Sequence, residues 1–133
     1  MGTINSINSS TVRWDGKIPF QVSSGSVSLS TAEPHQGEFV APCDGTIVAA
    51  VANVLAAPDG AAATVFAGIR GNTTKFINNY SVGTAHNTGT LDLTSQLAST
   101  DVSEGDVICF GSDGGGTSTG EVSVILVVMP RNS

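Results

Sequence analysis

Charge is the scarcest thing in this sequence. Asp, Glu, Lys and Arg together make up 12% of its 133 residues, about half the share usual in a soluble domain. With so few charges to spend, much of the surface is expected to be covered by other chains; a secreted or particle-bound module would show the same shortage. Basic residues are fewest of all. The five of them (Arg13, Lys17, Arg70, Lys75 and Arg131) form neither a cluster nor a stripe, and the net charge is −6. Phosphate backbones and anionic lipid surfaces both select clustered cations, so neither a nucleic acid nor a membrane is expected as a partner.

Other absences narrow the field further. Two cysteines, Cys43 and Cys109, do not make a disulfide framework. Each sits in or beside a predicted strand and reads as a free thiol, although the turns flanking both leave a single bridge open. No apolar run approaches the roughly 18 residues that mark a membrane-spanning helix, and Ile47 to Ala57 is too short. Met1 to Ser10 is polar and lacks the apolar centre of an export signal, so nothing is expected to direct export. The two histidines, His35 and His86, lie in separate polar loops with no metal-binding spacing between them. No metal, no cofactor and no catalytic residue is expected.

What is present is a run of short β-patterned segments separated by turns. Thr11 to Val22 alternates Val12, Trp14, Ile18, Phe20 and Val22 around Asp15-Gly16, which is the pattern of a hairpin. Ser26 to Ser30 is a further short strand, and Thr31 to Gln36 reads as a loop because Pro34 cannot donate to a ladder. Gly37 to Ala52 reads as strand, turn and longer strand: Phe39 anchors the first run, Pro42 stops it, and Asp44-Gly45 suits a turn that tolerates positive φ. Thr46 to Leu55 is rich enough in β-branched residues to favour strand over helix despite its alanines. Strands follow over Ala63 to Arg70 and Thr73 to Tyr80, the latter carrying Phe76 and Ile77. Thr90 to Leu97 reads either as a strand leading into one helical turn or as an extended linker. Val107 to Phe110 is apolar. Gly111 to Gly120 reads as the most flexible stretch, and Glu121 to Met129 is the last strand. From Ile125 to Val128 that strand is apolar on both faces, which implies burial on both sides, one against the core and the other against a partner chain.

Eight to ten short strands at regular spacing, with no convincing helix, predict an all-β fold: a jelly-roll-type antiparallel β-sandwich. Residues 1–12 are polar, with Ile4 and Ile7 isolated among Ser and Asn. They read as an extended N-terminal arm ahead of a single sandwich domain over 13–133. The arm is either a free tail or a segment ordered only against a neighbouring subunit. Ile4, Ile7 and Val12 of the arm, with Trp14 of the hairpin that follows it, are the candidate subunit- or capsid-interface residues.

Apparent chemical motifs do not hold up. Gly116-Thr117-Ser118-Thr119-Gly120 matches the G-x-S-x-G elbow, but a strand rather than a helix follows it and no histidine lies downstream. The glycine run around Gly114 has no G-K-[ST] and opens no helix, so it cannot cradle phosphate in the usual way. Asp101, Glu104 and Asp106 could collect Ca²⁺ within one turn, but their spacing is not that of a known loop, and solvated turn acids are the simpler reading.

Two segments resemble a known family. Phe39-Val40-Ala41-Pro42-Cys43-Asp44-Gly45-Thr46-Ile47 and Glu104-Gly105-Asp106-Val107-Ile108 resemble the strand–turn–strand and the later G-D-x-V strand of C1q/tumour-necrosis-factor-type jelly rolls, with Ile47 where that family usually has Tyr. The same segments look like small tailed-phage head decoration (cement) proteins, which share that fold and sit as trimers on an icosahedral capsid. The resemblance implies a non-enzymatic virion protein, made in the host cytoplasm. It would be a homotrimer bound to the major capsid protein on the outer capsid surface, clamping neighbouring subunits. The alternative is a receptor- or glycan-binding tip module of a phage tail or fibre, using loops 81–89 and 111–120, with Tyr80 as the nearest aromatic.

Overall fold

A computed structural model describes residues 18–83, 89–115 and 117–131. Nine strands lie within them: β1 (Phe20–Ser28), β2 (Ala32–Val40), β3 (Gly45–Ala56), β4 (Ala63–Ile69), β5 (Lys75–Val82), β6 (Gly89–Asp92), β7 (Asp101–Val102), β8 (Val107–Asp113) and β9 (Glu121–Pro130). The expected arm at 1–12, with Ile4, Ile7 and Val12, lies outside the described residues, as do Trp14 and the turn at Asp15-Gly16.

All pairings are antiparallel. One sheet runs β1-β9-β3-β6, with the two-residue β7 also on β3, and the other runs β2-β8-β4-β5. Apart from β7, the pairs β4–β5, β3–β6, β2–β8 and β1–β9 nest inside one another along the chain. A nested ribbon of this kind, rolled so that its pairs fall alternately into two sheets, is a jelly roll. The architecture is therefore the all-β antiparallel sandwich that the strand spacing predicts.

The core lies between the two sheets. From β9 come Val122, Val124, Leu126 and Val128, and from β3 come Ile47, Ala50, Ala52 and Val54, all essentially inaccessible. The facing sheet contributes a row that alternates small and large, Gly37–Phe110–Ala67–Ile77, each paired with the next across β2, β8, β4 and β5. Phe76 and Ile77 are both buried, as expected from the pattern of β5.

Several local features differ from the sequence pattern for identifiable reasons. A single strand, β1, runs through Ser28, because a bulge between Ser23 and Ser26 absorbs what looks like a break. Gly25 takes φ 69° there, and the Ser24 hydroxyl accepts the Val124 N–H at 2.8 Å, filling the gap in the ladder. Likewise β2 starts at Ala32 despite Pro34. Its pairing with β8 is interrupted between Glu33 and Gly37, so the proline sits where the ladder asks for no N–H. The side chain of Gln36 then joins the two edge strands as a peptide would. Its Oε1 accepts the Ser28 N–H at 2.6 Å and its Nε2 donates to the Ser28 carbonyl at 2.9 Å.

The Pro42-to-Gly45 corner carries the chain from one sheet to the other instead of closing a hairpin. Gly45 is absent from the positive-φ residues. What requires a glycine there is space, since a Cβ would stand 2.6 Å from Val128 Cγ1. Asp44 fixes the corner by accepting the Glu104 N–H at 2.8 Å. After β6, Thr94–Gln96 forms a single 3-10 turn, which decides between the helical turn and the extended linker that the sequence left open. Both cysteines are free.

Candidate interaction surface

Alternation along a strand sends every second side chain away from the core. On β9 the outward set is Ser123, Ile125, Val127 and Met129, all half-buried. Their partners on β3 are Asn53, Val51, Ala49 and Thr46 in turn. The middle of this outer face is thus two adjacent apolar rows. A bulge between Ile47 and Ala49 adds Val48, which is 46% exposed, and Leu55 is 45% exposed farther along β3. On one flank stand the uncharged Gln21, Ser23, Ser26 and Ser28 of β1, directly opposite Val127, Ile125, Ser123 and Glu121. On the other flank, Asp92 and Thr90 of β6 lie opposite Val51 and Asn53. The formal charges of this pattern, Glu121, Asp92 and Asp101 (opposite Thr46 on β7), sit at its margins. An apolar centre with a polar rim is the layout of a protein–protein contact.

The outer face of the second sheet is built differently. Lys75 Nζ lies 4.2 Å from the centroid of the Phe66 ring, and Arg70 pairs with Glu38 at 3.3 Å. These long side chains shelter Phe66 and Cys109 while holding charge toward water. Burial pushes the Cys109 thiol above its ordinary range; nearby Glu38 adds to this and Lys75 opposes it. The Cys43 thiol, in the β2–β3 corner, is also raised, by burial first and then by Asp44 and Glu104. Neither thiol has the electropositive setting that makes a cysteine reactive.

The G-x-S-x-G segment belongs to a structural tie. Gly116 lies outside the described residues. Ser118 donates its hydroxyl to Asp59 Oδ2, and the Ser118 and Thr119 N–H groups donate to Oδ1 at 2.9 and 3.1 Å. The Thr117 hydroxyl donates to the same oxygen at 2.8 Å and accepts the Asp59 N–H at 3.0 Å. No imidazole hydrogen-bonds to Ser118 among the described residues. The β8–β9 connection, flexible by composition, is therefore anchored to the β3–β4 turn at Thr117–Thr119. The Gly120 carbonyl also accepts the Leu29 N–H at 2.9 Å.

These bonds hold the Asp59 carboxyl far below the usual carboxylate range, the Ser118 hydroxyl contributing most and the Ser118 N–H next. A carboxylate depressed in the folded state stabilises the fold above its unfolded pKa, about 3.9. That contribution disappears as pH falls toward the folded value. Asp59→Asn is expected to lower the thermal midpoint at neutral pH, with the gap to the parent narrowing from about pH 4 downward. A gap constant from pH 7 to pH 2 would show that the charge of Asp59 is not what holds the loops.

The other sequence candidates fall in separate places. Asp106 Oδ2 accepts the Ser103 N–H at 2.8 Å within its own turn, and Asp101 lies 3.7 Å from Arg131. Among the described residues no three His, Cys, Asp or Glu are grouped to hold a metal. His35 is exposed beside Glu33 at 3.9 Å, and His86 lies outside the described residues. Tyr80 packs partly buried against the core, in the row that pairs it with Val65. The interface candidates Ile4, Ile7, Val12 and Trp14 also lie outside the described residues. The apolar face was legible in the sequence at one point, the doubly apolar run Ile125 to Val128.

Fold and surface together define a jelly-roll sandwich with one apolar outer face. No protein-family model and no curated protein matches the sequence.

Proposed function

We propose that this chain is a structural virion protein that binds the outer surface of a phage capsid and clamps neighbouring capsid subunits. It acts as a homotrimer, without cofactor or catalytic chemistry, after synthesis in the host cytoplasm. The observation that carries this reading is the outer face of β3 and β9, where Val51, Ala49, Ile125 and Val127 meet in paired rows with no charge between them. Contiguous apolar surface of this kind marks an interaction site. The resemblance of the Phe39–Ile47 and Glu104–Ile108 segments to decoration proteins supplies the capsid. Each contact need only be modest, because repeating it around a symmetric assembly multiplies its effect.

Light scattering of the purified chain, with the heat resistance of empty phage heads measured with and without it, tests the proposal. A trimer that raises the temperature at which heads rupture is the expected result; a monomer at micromolar concentration with no effect on heads would sink it. Val127→Asp places a carboxylate in the middle of the face. Self-association is expected to weaken by about 3 kcal/mol, roughly a hundredfold, because the buried charge has no partner.

A further inference from the structure

We propose that residues 1–17 of one chain dock across the outer face of β3 and β9 in a second copy, exchanging arms between subunits. This rests on the self-association reading and names what covers the face.

Charge argues for the arm over a second sandwich. Residues 1–17 hold Arg13 and Lys17 against Asp15 alone, a net +1, which leaves −7 on the rest of the chain. Two such bodies pressed together would bring like charges close, whereas a weakly basic arm approaching an acidic body is attracted. The arm's apolar residues, Ile4, Ile7, Val12 and Trp14, match an uncharged apolar strip, and its Ser and Asn match the Ser and Gln rim along β1.

Length and exit point agree with this. The described chain starts at Ile18, which is 65% exposed, and Phe20 pairs with Val128 near the end of β9. The arm therefore leaves from the end of the very sheet that carries the face. Seventeen extended residues reach about 55 Å, well beyond the roughly 34 Å of a ten-residue strand. Direction favours the neighbour. Ile18 precedes Pro19, which disfavours a helical bend there and carries the chain onward past the sheet end. A return at Asp15-Gly16 would bring residues 11–14 alongside 17–20, where Pro19 has no N–H to offer a new edge strand.

Trp14 is the only tryptophan, so its emission reports the arm directly. The test uses three full-length chains: the parent, Val127→Asp and Trp14→Phe. Blue-shifted emission is expected from the parent oligomer, and emission like that of indole in water from Val127→Asp. The deciding step mixes Val127→Asp, which keeps the tryptophan but has a damaged face, with Trp14→Phe, which keeps the face but is dark. Recovery of the blue shift on mixing is expected, because the arm of one chain then finds the face of the other. No recovery, with the parent blue-shifted, would mean each arm covers its own chain and would overturn the exchange. Water-like emission from the parent would overturn docking altogether. If Val127→Asp loses its β-sheet circular dichroism, Ile125→Thr, which keeps the β-branch, takes its place. A parent that still forms trimers and protects heads while Trp14 stays hydrated would leave the clamping function standing and remove only this inference.

Discussion

Phe110→Ala is expected to lower the stability of the sandwich by about 4 kcal/mol, toward the upper end for a buried phenylalanine. The ring is fully inaccessible and sits in β8 between Gly37 on one side and Ala67 on the other. The cost of such a cavity depends on how far its surroundings can collapse. Here the two cross-strand neighbours hold a hydrogen atom and a methyl group, neither long enough to move in. A total of about 5–15 kcal/mol is usual for a domain, so this one change would remove a large part of it. Chemical denaturation is the measurement to make. Phe110→Leu should lose well under half as much. If the alanine variant lost under 2 kcal/mol, the two sheets would be closing over the gap, and the Gly37–Phe110–Ala67–Ile77 row would not be the rigid spacer it looks like.

The all-β class and the sandwich type were legible because most strands carry a β pattern of their own; the order of the strands in the two sheets was not. Val122, Val124, Leu126 and Val128 alternate openly, and the β-branched residues of β3 outweigh its alanines. The bulges were not legible. Ser24 and Gly25 read as a gap between two short strands, and only the Val124 N–H, a hundred residues away, shows why the strand continues. Pro34 gave a correct local rule, that it cannot donate to a ladder, but the ladder steps around it. Within Ala57-Pro58-Asp59-Gly60, Asp59 has the local pattern of an ordinary turn residue, because its partners Thr117 to Thr119 lie about sixty positions on. For the same reason the glycine-rich loop read as loose when part of it is tied. Of the outer face, the β9 half was readable from Ile125 to Val128. The β3 half was hidden, because Val48 owes its exposure to a bulge that no period of two predicts.

Gly37→Ala is expected to cost about 3 kcal/mol, the upper part of the range for forcing extra volume into a filled interior. A Cβ on Gly37 would run into the Ser24 carbonyl of β1, a main-chain atom that cannot rotate aside. The clash falls at the joint between the two sheets, where Gln36 binds both the N–H and the carbonyl of Ser28. Gln36→Ala alone should cost about 1–2 kcal/mol, because it leaves a main-chain donor and acceptor less well satisfied. The two changes strike one joint, so their effects should not add. If the alanine at position 37 pushes β1 away from β2, the Gln36 bonds are already broken, and removing that side chain costs little more. The double variant is then expected to match Gly37→Ala within about 0.5 kcal/mol, the margin at which additivity is normally judged. Full additivity would mean that β1 absorbs the methyl group within its own bulge at Ser24-Gly25 and keeps its grip on Gln36. That outcome would assign the strain to the bulge and leave the joint between the sheets intact.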